Sequence, residues 1–383
     1  MATNLRFRNF PIDRIEWITS TFLILTATTS LFVVPWFCWA HWNDPSVNWP
    51  VVWISFAVMC CITGLSITLG YHRMFSHIAF KGTWPVKLGV LIFGASTFQN
   101  SALDWSHEHR IHHKHVDEHD DPYDISKGFF YAHIGWLLFK LKPKPPFDCV
   151  KDLMADKLVM WQHKWVQLIA LLVSFVIPWC IGYFGFHSTA MAWALLLVPG
   201  VLRVTFVQHC TFAINSLCHT LGKQPYATDH SARDSWICAL VTFGEGYHNY
   251  HHEFQHDYRN GVKWWQFDPT KWSIWTLSKI GLASDLRTVP DARILAAEMT
   301  EARRSIDKNL VKWTDRLPAA ARELKADAIK SVHAISEELL THIEELKKLA
   351  AVKAQVSRER AAELRARIAE AGRLLDEIRL ARA

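Results

Sequence analysis

Residues 49–77 read WPVVWISFAVMCCITGLSITLGYHRMFSH. From Trp49 to Gly70 the stretch carries no Asp, Glu, Lys or Arg, and it is long enough to cross a bilayer, which takes about 20 helical residues. It runs directly into His72 and His77. An apolar span that ends in metal-ligand side chains places a metal site at the end of a membrane helix. Positions i and i+5 lie about 140° apart on a regular α-helix, so this pair converges only if the helix ends or distorts between them.

Three further stretches have the same character: roughly Trp17 to Trp39, Trp165 to Phe184 and Met191 to Phe212, with Arg203 the one strong charge among them. A chain that is 50% hydrophobic, with 19 Trp and 22 Phe, has the aromatic load of a protein that meets lipid headgroups. Arg6, Arg8 and Arg14 precede the first span and the segment from His72 to Lys164 is rich in Lys and Arg, whereas the connectors His41–Asn48 and Gly185–Ala190 have neither. The positive-inside rule therefore puts both termini and the histidines in the cytoplasm. The net charge of +6 and pI near 8.8 suit a phosphate-bearing substrate or anionic lipid. The eight cysteines show no CxxC spacing and read as small hydrophobes.

Two more clusters follow the pattern of the first. HRIHH (His109, His112, His113) and HNYHH (His248, His251, His252) place histidines at i, i+3 and i+4, a spacing that turns three imidazoles to one helix face and toward one point. Eight histidines in three clusters can hold two metal ions. Neutral imidazole suits zinc, copper, iron and nickel alike, while the excess of ligands argues against a four-ligand structural zinc. Asp121 and Glu245 are candidates to accept the second N–H of ligating rings. His219, four residues after Asn215, reads equally as a ligand or as a satisfied histidine at a span end. His107, His115, His119, His133, His163, His209, His230 and His256 read as supporting or surface residues.

From Asp291 onward the composition changes. Charges of both signs dominate, Trp313 is the only aromatic, and Leu364, Ile368, Ala371, Leu375 and Ile378 step by 4, 3, 4 and 3. That step is either a short coiled-coil seam or one face of a solvated amphipathic helix, and Pro318 is expected to break the segment into separate helices. Such a segment is expected to lie peripheral to the chemistry, so that cutting it away leaves activity intact when electron donor is plentiful.

HRMFSH, FQNSALDWSHEHRIHHKHVDEHDDPY, GFFYAHIGWLL, DLMADKLVMWQHKW, NSLCH and GEGYHNYHHEFQHDYRNG, in that order, strongly resemble the membrane fatty acyl-CoA desaturases of the stearoyl-CoA type, in a form without a fused cytochrome b5 domain. The resemblance covers roughly Trp49 to Trp275. It implies an all-α integral membrane protein, with four transmembrane helices and a cytoplasmic helical cap that carries a histidine-rich di-iron site. To this are added a C-terminal helical extension and a division into a desaturase domain, residues 1–290, and the extension, residues 291–383. The implied ligands of two iron ions are His72, His77, His109, His112, His113, His219, His248, His251 and His252, with Asn215 reaching one iron through water. Gln99, Trp105 and Thr211 match positions that bend the acyl tunnel, Cys60 and Gly64 positions near its closed end, and Asn100 and Lys140 positions that contact CoA. His107–Glu108 stands where the family commonly has Arg-Asp, which changes the headgroup contacts.

The implied activity is O2-dependent desaturation of a long-chain acyl-CoA of about sixteen to eighteen carbons, with a cis double bond at carbons 9-10. The sequence contains no HPGG, ferredoxin-type cysteine run or GxGxxG turn, so electrons are expected from an external ferredoxin or cytochrome b5 and its reductase. No feature points to nucleic acid. Three other readings stay in play: a desaturase of glycerolipid acyl chains, a fatty-acyl or alkane hydroxylase, and a metal transporter. The hydroxylase usually has three residues between its first histidines and this chain has four, while a transporter binds near the membrane midplane rather than at span ends.

Overall fold

The computed structural model describes residues 14–140 and 145–381; Arg6 and Arg8, used in the orientation argument, lie outside the described residues. Contacts divide the chain into two units, 1–222 with 231–248 and 255–287, and 223–230 with 249–254 and 288–383.

The first unit contains four helices long and apolar enough to cross a membrane. In chain order its main helices are α1 (Trp17–Ala40), α2 (Trp49–Ser76), α3 (Trp84–Ala95), α4 (Ala102–Lys114), α5 (Lys157–Gly185), α6 (Thr189–His219) and α7 (Trp236–Val241), then the start of α8 (His248–Glu253), and α9 (Pro269–Lys279). The spanning four are α1, α2, α5 and α6. Buried residues make up 67% of the most apolar window of α6 and 17% of that of α5; α6 is thus the central span and α5 turns most of its apolar surface outward, as lipid contact requires. Gly182 lets α5 meet α6 closely, since a Cβ there would come 2.4 Å from the Cα of Ala192, the small-residue contact through which membrane helices pack.

The spans run past the limits read from apolar residues alone. α2 has 28 residues and α6 has 31, roughly 42 and 46 Å at ~1.5 Å per residue, against a hydrocarbon core of about 30 Å. Each therefore has turns to spare, and His72, Asn215 and His219 lie on them. The extension of α2 is buried throughout Ser66–Ser76, packed against α3, α4 and α9 through Tyr71, Phe75, Leu91, Leu103 and Ile274. The Tyr71 hydroxyl accepts a 2.6 Å hydrogen bond from Gln162 Nε2 on α5, which locks the extension in register. A two-residue antiparallel pairing, Lys81–Gly82 with Ala283–Ser284, closes this side.

In the second unit three long helices, α10 (Asp291–Thr314), α11 (Ala326–Ala351) and α12 (Arg358–Leu380), share a core. Leu295, Met299, Ile306 and Leu310 meet Val332, Ile335, Leu339, Ile343 and Leu346, and both meet Leu364, Ala371, Leu375 and Ile378. The 4-3-4-3 seam of α12 is thus covered inside the chain and not by a second copy. The face is therefore not a solvated one: aliphatic residues at spacings of three and four supply the core, with Trp313 packed against it. α10 ends at Thr314 and a further helix begins at Ala319, with Pro318 at the break.

Candidate metal centre

α2 does not continue as a regular helix to its end. Ser66–Ser76 is wound with i→i+5 hydrogen bonds, and the last of these joins His77 N–H to the His72 carbonyl at 3.1 Å. This wider π turn brings the fifth residue above the first, and the two rings lie 4.8 Å apart. It is the distortion that the i, i+5 spacing required.

α4 begins at Ser101, whose side chain accepts the Asp104 N–H, and it delivers His109, His112 and His113. Ligand nitrogens of His72, His77, His109 and His113 lie within 4.8 Å of one another, and those of His112, His219 and His248 form a second set within the same limit. HRIHH therefore does not aim at one point. On the helix His113 is about 40° from His109 but about 100° from His112, and the helix splits its ligands two and one. His77 Nε2 approaches His109 Nε2 at 2.8 Å, and His219 Nε2 approaches His248 Nε2 at 3.2 Å. Metal–nitrogen bonds of ~2.1 Å at right angles separate their nitrogens by ~3.0 Å, so both spacings fit ligands that share an ion. His251 and His252 belong to the second unit and sit three and four positions after His248 on α8.

Burial, reinforced by the charge of neighbouring imidazoles, pulls His77, His109 and His113 well below the ordinary histidine range. Each stands neutral near pH 7 with a lone pair to offer a cation. Carboxylates orient the rings. His72 Nδ1 donates to Glu245 Oε2 at 2.9 Å and His112 Nδ1 to Asp121 Oδ1 at 2.8 Å, which leaves Nε2 of each for a metal. Burial alone would raise both carboxyls. Arg73 and His72 outweigh it at Glu245, and His112 with the Tyr123 and Asp117 N–H groups outweighs it at Asp121, so both are held below the usual carboxylate range. Asp121 and Glu245 were legible beforehand; their own supports were not. Arg73, fully buried, donates to Glu245 Oε1 at 2.9 Å, to Asp268 Oδ2 at 3.1 Å and to the Tyr258 carbonyl at 2.7 Å. His219 Nδ1 lies 2.6 Å from Ser231 Oγ, which donates to Asp117 Oδ1 at 2.5 Å. Nothing in the spacing of Asp117, Ser231 or Asp268 announces these roles.

Of the remaining histidines, His230 lies with its ring 5.1 Å from that of His252, and others make contacts of their own. His256 Nδ1 donates to the His77 carbonyl at 2.8 Å, His163 Nδ1 lies 2.7 Å from Ser101 Oγ, and His133 Nε2 lies 3.0 Å from His209 Nδ1. His107 is fully buried, with Nε2 donating to the Pro145 carbonyl at 3.1 Å.

A cavity of about 1340 Å³ opens beside the histidines and is lined by His72, His109 and His248 together with Gln99, Asn100, Trp105, Lys140, Thr211 and Asn215. It exceeds the ~300–1,000 Å³ of most small-molecule sites. Its wall joins apolar residues such as Phe22, Leu23, Ile67, Leu171 and Phe212 to ionic ones such as Glu108, Arg110, Lys114 and Lys140, which suits an amphiphile. Gln99 Nε2 donates to Thr211 Oγ1 at 3.1 Å across it. Cys60 and Gly64 are not among the lining residues. Gly64 packs against the Phe243 ring, where a Cβ would come to 2.5 Å, so its smallness admits that ring.

The family model for fatty acid desaturases matches residues 47–279. Acyl-CoA desaturase 1 of Saccharomyces cerevisiae is 44% identical over 255 residues, 66% of this chain and 49% of its own length. The probable acyl-CoA desaturase of Schizosaccharomyces pombe is 41% identical over 249 residues, 64% of this chain and 51% of its own, and the stearoyl-CoA desaturase of Homo sapiens is 35% identical over 239 residues, 61% and 66%. The chain spans about half the length of the two yeast relatives it matches.

Proposed function

The chain belongs to the fatty acid desaturase family, and from that premise we propose that it desaturates a long-chain fatty acyl-CoA, setting a cis double bond at carbons 9-10. Two hydrogens leave adjacent methylenes, two electrons and two protons come from outside, and O2 leaves as two waters. The observation that carries the reading is the pair of buried imidazole sets on the wall of a large cavity that is apolar in part and ionic in part.

The residues fit a pair of metal ions: every donor is an imidazole nitrogen, and two of the rings are tethered by carboxylates. We assign His72, His77, His109 and His113 to one iron and His112, His219 and His248 to the other. His251 and His252, three and four positions after His248, are the remaining ligands, and Asn215 would reach one iron through water. When bound with O2, the irons supply hydrogen-atom abstraction, which no acid or base side chain can achieve on an unactivated methylene. The protein's part is placement: Trp105, Gln99 and Thr211 hold the acyl chain against the histidines. Lys140 and Asn100 face the CoA phosphates, with Glu108 beside them in place of the family's usual Asp. Electrons arrive from a ferredoxin or cytochrome b5 with its reductase, docked on a basic cytoplasmic face.

Expression in a host that makes no unsaturated fatty acids, followed by mass spectrometry of its lipids with double-bond localisation, is expected to show 9-10 cis products; a hydroxylated or unchanged profile overturns the proposal. The headgroup assignment has its own test. Lys140 pairs with Glu16 at 2.6 Å, so Lys140→Glu places two acidic groups together at the mouth. The KM for acyl-CoA should rise about tenfold, the factor that ~1.4 kcal/mol of lost charge complementarity gives, with kcat within about twofold. An unchanged KM removes Lys140 from the CoA site.

A further inference from the structure

The C-terminal helices share their unit with two short segments from far upstream, Lys223–His230 and Asn249–Phe254, and the second carries His251 and His252. A helix of six residues, His248–Glu253, cannot hold itself, because isolated helices shorter than about 12–15 residues are marginal in water. Its support is visible within the unit. Fully buried Asn249 accepts the backbone N–H of Tyr226 at 2.9 Å and of Ala227 at 3.3 Å, and donates from Nδ2 to the Ala227 carbonyl at 2.7 Å. Tyr226 packs edge-on to Tyr250 and Phe254 at 5.3 and 5.9 Å. The segment Tyr226–Thr228 is thus fastened to the histidine helix by hydrogen bonds at one end and aromatic rings beside it.

Its other end is fastened to α10. Thr228 Oγ1 donates to Glu301 Oε2 at 2.7 Å, and Arg304 Nη1 donates to Thr228 Oγ1 at 3.0 Å and to Glu301 Oε1 at 2.8 Å. Glu301 is buried. The Arg293 guanidinium, also on α10, lies over the Phe254 ring at 5.6 Å, and α12 braces α10 through Arg365 and Glu298 at 2.7 Å. A continuous line of contacts therefore runs from the three-helix core, through Glu301, Thr228 and Asn249, to the two histidines.

We propose that the C-terminal unit is a positioning device for His251 and His252, with Glu301 and Thr228 as its positioning residues. This reverses the peripheral role expected of the charged segment, and it rests on the metal centre proposed above. Metal sites demand ligand placement within about 0.5 Å, and a six-residue helix reaches that precision only when something outside it is rigid.

The test uses the full-length protein in detergent, as Glu301→Leu, Thr228→Val and the conservative Glu301→Gln, which keeps an acceptor for Thr228. Two readouts are taken: the rate at which a chelator strips iron, and amide hydrogen exchange of the metal-free protein over 249–254 and over α11. Glu301→Leu is expected to speed both iron loss and exchange over 249–254 about tenfold, the size of effect that loss of one buried hydrogen bond produces. α11 exchange should stay as in the unmodified protein, Thr228→Val should follow in the same direction, and Glu301→Gln should restore both rates. If Glu301→Leu does not fold, Thr228→Val decides alone, since it exchanges one hydroxyl for a methyl group of similar size. The proposal is overturned if iron loss is unchanged, or if α11 exchange rises as much as that of 249–254, which would mean general unfolding of the unit. Iron missing from the unmodified protein would instead sink the proposed metal centre, while the exchange comparison would still judge the brace.

Discussion

His112→Ala is expected to reduce desaturation to the background of the host, a loss on the order of 10³-fold or more, and to lower iron from about two per chain to about one. The substitution takes a nitrogen from the second set and also strands Asp121, a buried carboxylate whose Oδ1 lies 2.8 Å from the lost ring. An uncompensated buried charge is expensive, so the variant's remaining set should bind metal less firmly as well. His333→Ala is the control, because His333 is exposed on α11 and is not among the residues lining the cavity; it should keep full activity. Metal analysis beside product analysis by mass spectrometry checks both variants. Full activity in His112→Ala would remove this residue from the centre.

Arg73→Leu is expected to destabilise the protein more than any substitution of a single histidine. Glu245 and Asp268, both buried, face the same guanidinium at 2.9 and 3.0 Å. Removing one partner of such a buried arrangement costs about 3–5 kcal/mol. The loss should reach the metal as well, because Glu245 orients His72, and carboxylates of this kind change metal affinity by about 10–100-fold. Thermal unfolding of the metal-free protein in detergent, with an iron titration, reads both effects. A midpoint within about a degree of the unmodified protein would show that Arg73 does not hold this network together. Arg73→Lys should fall between, since one ammonium cannot span two carboxylates and a carbonyl.

What the sequence disclosed followed a physical pattern. Apolar length marked the four spans, because composition alone decides whether a helix tolerates lipid, yet it ended them early: Tyr71, Arg73 and Asn215 are polar and their helices continue past them, that of Tyr71 and Arg73 because α3, α4 and α9 bury its end. The i, i+5 spacing of His72 and His77 announced a distortion without naming it. The i, i+3, i+4 spacing named the histidines and misjudged their aim, since a face that looks single on a helical wheel still divides when two destinations lie close by. Asp121 and Glu245 were visible as carboxylates near histidines, while Asp117, Ser231 and Asp268 act across long sequence separations and leave no local sign. The core of the C-terminal unit was hidden by its charges, which crowd the outer faces of the three helices around a narrow aliphatic stripe.

The split on α4 ties the two histidine sets to one rigid rod. Their separation is then a property of backbone pitch, set by the single turn from His109 to His113 with His112 between, and no side-chain motion can alter it freely. If the two sets hold ions as proposed, an ion bound by one fixes the helix that also carries a ligand of the other, and the two sites are coupled through the backbone of α4.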